Sequence, residues 1–136
     1  MDTLKNSGGS RLEASLRRDI GAWSRLHGIP VAIHCNGLVG VDVSPAVAAA
    51  ADFAVAEGLR NVAFHASASA CSVYVRSDGQ TLRVLIEDDG VGFNVAKNVS
   101  DGGLARLREQ AHAIGAAFLL ESHRGKGSAV GLELRL

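Results

Sequence analysis

Apolar residues recur at helical intervals in three stretches of the chain and at alternate positions in several strand-length runs between them. Leu12, Leu16, Ile20, Trp23 and Leu26 follow one another every three or four residues, which predicts a helix with one apolar stripe. Ser10 and Glu13 fit an S-x-x-E capping box, so this helix is expected to start at Ser10, after a lead-in over residues 1–9. Gly28 can close it, and Pro30 forbids its continuation. Val31, Ile33 and Cys35 alternate with Ala32 and His34, as in a half-buried strand. Ser44 as N-cap and Pro45 at the first helical position open an Ala-rich helix to about Phe64, with Val47, Ala51, Ala54, Val55, Leu59 and Val62 on its buried face. Cys71, Val73 and Val75 alternate, and so do Leu82, Val84 and Ile86, on either side of an Asp78-Gly79 hairpin turn. Leu104, Leu107, Ala111 and Ile114 predict a third helix closed by Gly115. A strand over 117–121, a turn at 124–127 and a last strand carrying Val130, Leu132, Leu134 and Leu136 complete the chain.

The order α-β-α-β-β-loop-α-β-β suits an α+β fold, a two-layer sandwich with a mixed sheet and about three helices on one face. A chain of 136 residues fits one domain, here 10–136. With 47% hydrophobic and 21% charged residues it has the composition of a globular protein. Fourteen basic and fourteen acidic residues cancel, which argues against a nucleic-acid partner. No apolar run is long enough to span a membrane and the first residues carry no signal segment, so a cytoplasmic domain without membrane contact is expected. Cys35 and Cys71 share no ligand spacing and read as reduced thiols. The anomaly is glycine: sixteen residues, against about 7% in an average chain. Such an excess suggests backbone that turns tightly or approaches a ligand closely.

Three segments hold candidate chemistry. Glu57, Asn61 and His65 stand at i, i+4 and i+8 on the second helix, which puts a carboxylate, an amide and an imidazole on one face. Asp88-Asp89-Gly90-Val91-Gly92-Phe93 follows directly on an apolar strand; the glycines let backbone pass close to a flat ligand, and an Asp there can accept from an exocyclic amine. Asp101-Gly102-Gly103-Leu104 precedes a helix, where free backbone N–H groups favour anions. Taken singly, these are equally a solvated helix edge, a plain turn and a capped loop. Neither the P-loop pattern nor the dinucleotide fingerprint occurs.

Their joint order is more specific. EGLRNVAFHA, EDDGVGFN, GGLARLREQAHAIGA and RGKGSAVGLELRL succeed one another. They resemble the N box, the G1 box, the segment after the ATP lid and the closing strand of the ATP-binding domain of sensor histidine kinases, most like kinases that pair with NarL-type response regulators. The wider GHKL superfamily includes gyrase, MutL proteins and a heat-shock chaperone. The resemblance covers about residues 10–136 and implies a Bergerat-type ATP-binding fold.

It also implies roles. Asn61 matches the residue that ligates Mg²⁺ on the ATP phosphates, and Glu57 a carboxylate that orients or deprotonates the nucleophile. His65 matches a position near phosphate, and Asp88 the acceptor for the adenine amine. Gly90 and Gly92 match glycines beneath the base. Residues from Phe93 to Gly103 match a short ATP lid, with Gly103 and Leu104 at its hinge; Ser128 matches a residue that assists adenine binding, and Gly102 and Gly127 fall where adenine and phosphate would press on the backbone. Asp101 stands where the lid usually has its first glycine, and Gln110 where an Arg is usual. The phosphoacceptor motif and dimerisation helices of the family are missing, so the chain reads as the catalytic part of a longer kinase, excised or naturally short, and monomeric when isolated. The implied function is to bind Mg²⁺·ATP and phosphorylate a histidine on a separate domain, which then serves a response regulator. Two alternatives are a stand-alone anti-sigma-factor serine kinase of the same superfamily and a degenerate interaction module without catalysis.

Overall fold

The computed structural model describes residues 7–66, 68–90, 103–122 and 127–136. Helices α1 (Gly8–His27), α2 (Pro45–Asn61) and α3 (Gly103–Ala113) accompany strands β1 (Val31–Asn36), β2 (Cys71–Ser77), β3 (Thr81–Asp88), β4 (Ala117–Ser122) and β5 (Ser128–Arg135). The strands form one sheet in the order β1-β2-β3-β5-β4. β1 runs parallel to β2, and the other neighbours are antiparallel. The sheet is therefore mixed, with the helices against one face, as the periodicity predicts.

The alternation of each strand decides which face is covered. Val73, Val75, Leu82, Val84, Ile86, Val130, Leu132 and Leu134 are buried under Leu12, Leu16 and Ile20 of α1, Ala51, Ala54 and Leu59 of α2, and Leu107 of α3. The intervening residues, such as His34, Tyr74, Arg76, Arg83 and Glu133, are exposed on the other face. Small residues let α2 lie close to the sheet: a Cβ on Gly58 would stand 2.8 Å from the Ile86 side chain.

Three boundaries differ from the periodic expectation. α1 starts at Gly8 with Ser7, not Ser10, as its cap; the Ser7 hydroxyl accepts from the Ser10 N–H at 3.0 Å. The same hydroxyl accepts from the Gly40 N–H, and the Gly9 N–H donates to the Val41 carbonyl. A Cβ at Gly9 would lie 2.0 Å from the Leu38 carbonyl oxygen. Contact with the 38–43 loop thus extends the helix past its local capping box, and Glu13 pairs with Arg17 instead. At its other end α2 stops at Asn61, and the chain continues as a π-helical turn, Val62–Ala66. Ile114, expected on the third helix, lies past its end and is 48% exposed.

Leu107 has no exposed surface and carries the α3 contact with the core. Leu107→Ala is expected to cost about 2–5 kcal/mol, the usual range for such a truncation. Urea unfolding of the two proteins measures it.

Candidate functional site

The C-terminal end of β3 and the start of β5 meet directly: Asp88 is in register with Ser128. Asp88 Oδ1 accepts from the Gly90 N–H at 2.8 Å, an Asx-type turn that fixes the carboxylate, and Oδ2 accepts from the Ser128 hydroxyl. Gly127 makes this meeting possible. Its φ is +78°, and a Cβ there would stand 2.1 Å from the Asp88 carbonyl oxygen. Both glycines are buried beside the pair.

Above this edge lies the last turn of α2. Gly58 rests on Ile86, two residues before Asp88, so the flanking Glu57 and Asn61 are held over the same end of the sheet. Asn61 is 4% exposed, and neither its Oδ1 nor its Nδ2 has a hydrogen-bond partner among the described residues. A buried amide left in that state costs about 1–3 kcal/mol, so it needs a partner from outside the described residues. It sits where the α-helix gives way to the π turn, a distortion frequent at functional sites. The Glu57 side chain is 9% exposed, and its Oε1 accepts from Arg106 Nη2 at 3.2 Å. The carboxylate is therefore tied across to α3, one turn into that helix.

Asp89 has a different duty from its neighbour. Its oxygens accept from the Ser69 hydroxyl at 2.6 Å and from the Ser69 and Ala70 N–H groups at 2.9 and 3.0 Å, fastening the approach to β2 onto the end of β3. Those bonds, the Ser69 hydroxyl first, hold its carboxyl below the ordinary aspartate range. Cys71 is buried opposite Asp88 in the ladder, and burial, then Asp88 and Asp89, push its thiol up to about 11. It stays protonated at neutral pH and is a poor nucleophile.

The structure brings Glu57, Asn61, Asp88, Gly90, Gly127 and Ser128 to one end of the molecule, with Gly103 and the buried Leu104 opening α3 beside them. Gly92, Phe93, Gly102 and Asp101 lie outside the described residues, as does the side chain of His65. The i, i+4 spacing holds for Glu57 and Asn61; the further step to position 65 crosses the π turn, which has a wider period. Sequence reasoning missed Arg106. The available signal is a cation in the first turn of a helix, where the macrodipole disfavours it.

No protein-family model matches the chain. Two curated proteins do: the histidine-protein kinase/phosphatase UhpB of Salmonella typhimurium, 33% identical over 79 residues, and the sensor histidine kinase ComP of Bacillus subtilis, 29% identical over 85. These matches take in 58% and 60% of the chain but 16% and 11% of the two kinases, so the chain corresponds to a small part of each. Among solved structures, the histidine kinase domain of a blue-light activated kinase from Erythrobacter litoralis aligns over 92% of the chain and 61% of its own length, with a TM-score of 0.74 and 28% identity. In sequence and in fold the chain is similar to histidine kinase domains. Acinetobacter baumannii AdeS, at 12% identity and a TM-score of 0.70, shares the fold, over 92% of this chain and 63% of its own. No helix among the described residues is long and apolar enough to cross a membrane.

The lowered Asp89 carboxyl gives a signed expectation. A depressed folded-state value stabilises the fold above the unfolded value and loses that effect as pH falls through the folded one. The stability gap between wild type and Asp89→Asn is thus expected to be widest above about pH 4 and to close below it. Thermal melts of both proteins across that range read the gap directly.

Proposed function

We propose that this domain binds Mg²⁺·ATP and, in a longer parent acting in the cytoplasm, donates the γ-phosphoryl group to a histidine on a separate helical domain that serves a response regulator. The observation that carries this is Asn61, a buried amide with neither polar atom satisfied, one turn from a buried carboxylate. Mg²⁺ keeps several waters and phosphate oxygens and needs few protein ligands. Asn61 Oδ1 suits one such place, and the ion when bound supplies charge neutralisation at the phosphates.

The remaining residues divide the work of positioning, which dominates catalysis of phosphoryl transfer. Asp88 accepts from the exocyclic amine of adenine, its carboxylate oriented by the Gly90 N–H and the Ser128 hydroxyl. Gly127 keeps that edge free of side chain. The N–H groups at the start of α3, from Gly103 and Leu104, face anionic oxygens as helix N-termini do. Glu57 holds the incoming histidine and takes up its proton. Gly92 beneath the base, Phe93 and Gly102 in the lid and His65 on the phosphate side complete the proposal, on the strength of the motif resemblance. The likeness to the histidine kinases UhpB and ComP supports the acceptor class.

Calorimetric titration with ATP, with and without Mg²⁺, tests the assignment. Asp88→Ala is expected to weaken binding about tenfold or more, the worth of a charge-assisted hydrogen bond. Asn61→Ala is expected to bind nucleotide while losing most of the gain that Mg²⁺ brings to wild type. Unaltered affinity in the first variant sinks the adenine site, and an unaltered Mg²⁺ gain in the second sinks the metal site.

A further inference from the structure

Arg106 is the residue at this site that neither periodicity nor motif accounts for. It stands one turn into α3 with its side chain 61% exposed, while its partner Glu57 is 9% exposed on α2. A guanidinium so near a helix N-terminus meets the positive end of the macrodipole, so its own helix does not favour it there. The Glu57 carboxylate does. Among the described residues the guanidinium makes one hydrogen bond, from Nη2 to Glu57 Oε1 at 3.2 Å. A guanidinium carries five N–H donors in a rigid fork, so anchoring one leaves an open edge with donors unspent.

That open edge has a definite address. Glu57 and Asn61 share one stripe of α2, and the proposed roles place both at the phosphate end of the nucleotide. Whatever Glu57 holds is held at that end too, beside the first turn of α3. We propose that Arg106 reads the terminal phosphate: Glu57 holds the guanidinium by one edge, the free edge donates to the γ-phosphate oxygens, and the domain thereby prefers ATP to ADP. This rests on the nucleotide reading above and adds to it a residue that discriminates between nucleotides. Pre-orientation by Glu57 is what makes the exposed arginine effective, because a fork already fixed loses less freedom on binding. An adenine-end residue such as Asp88 contacts a part common to ATP and ADP and cannot give this preference.

Titrations of ATP and of ADP, each with excess Mg²⁺, are made on the whole chain for wild type, Arg106→Gln, Arg106→Lys and the double variant Glu57→Gln/Arg106→Gln. Arg106→Gln is expected to bind ATP about tenfold more weakly and ADP within about twofold of wild type. Arg106→Lys, with charge but no fork, falls between. The double variant removes the carboxylate that Arg106→Gln leaves unpaired. Its ATP affinity is expected to stay low, since the lost contact is to phosphate. Equal weakening for ATP and ADP, no change for either, or recovery of ATP affinity in the double variant each overturns the proposal. If wild type binds neither nucleotide, the nucleotide reading falls and takes this one with it. If wild type binds both and Asp88→Ala weakens both, while Arg106→Gln changes nothing, only the role of Arg106 falls.

Discussion

The seating of α2 on β3 is the constraint from which the rest of this domain follows. At Gly58 there is no room for a Cβ against Ile86. Ala51 and Ala54 keep the preceding turns equally close, both without exposed surface. Such closeness buries the core, and it also fixes the height at which the flanking polar residues lie. Glu57 and Asn61 cannot turn toward solvent as they would on a helix standing further off. The burial of two polar side chains is thus a consequence of tight packing, and the chain answers it in two ways. Glu57 gains a cation from α3, and Asn61 gains nothing among the described residues.

The sheet edge below handles polarity by the opposite route. Asp88 is bonded at both oxygens, and Asp89 has three donors of its own. One carboxylate faces the helices while the next ties down the approach to β2, because successive side chains of an extended chain point to opposite sides. Both carboxylates of the edge are therefore held in place by the chain's own donors.

Much of this was legible in the sequence, since apolar alternation and 3.6-residue periodicity are local signals that the core then enforces. Val84 and Leu107 sit where their spacing puts them, both fully buried. Ser44 and Pro45 cap α2 as local chemistry dictates. What was not legible is contact between distant segments. The start of α1 depends on the loop around Leu38, some thirty residues away, so a sound local capping box at Ser10 was overridden. The π turn after Asn61 has no sequence signature. Arg106 meets Glu57 across 49 positions, a pairing no periodicity can reveal. The motif order nevertheless pointed to the right fold, because the boxes stand in line with the elements that carry them, and the likeness to histidine kinase domains agrees.

Gly127 and Asn61 have opposite meanings for what a lineage could keep or lose. Any side chain at 127 would force β5 away from the Asp88 carbonyl, so selection for folding alone would retain that glycine in a copy that had given up all chemistry. Asn61 is the reverse: buried and unpartnered, it burdens the fold, and an apolar residue of similar size would relieve it. Folding alone is thus enough to keep the glycine in a collection of related chains, and is not enough to keep the asparagine.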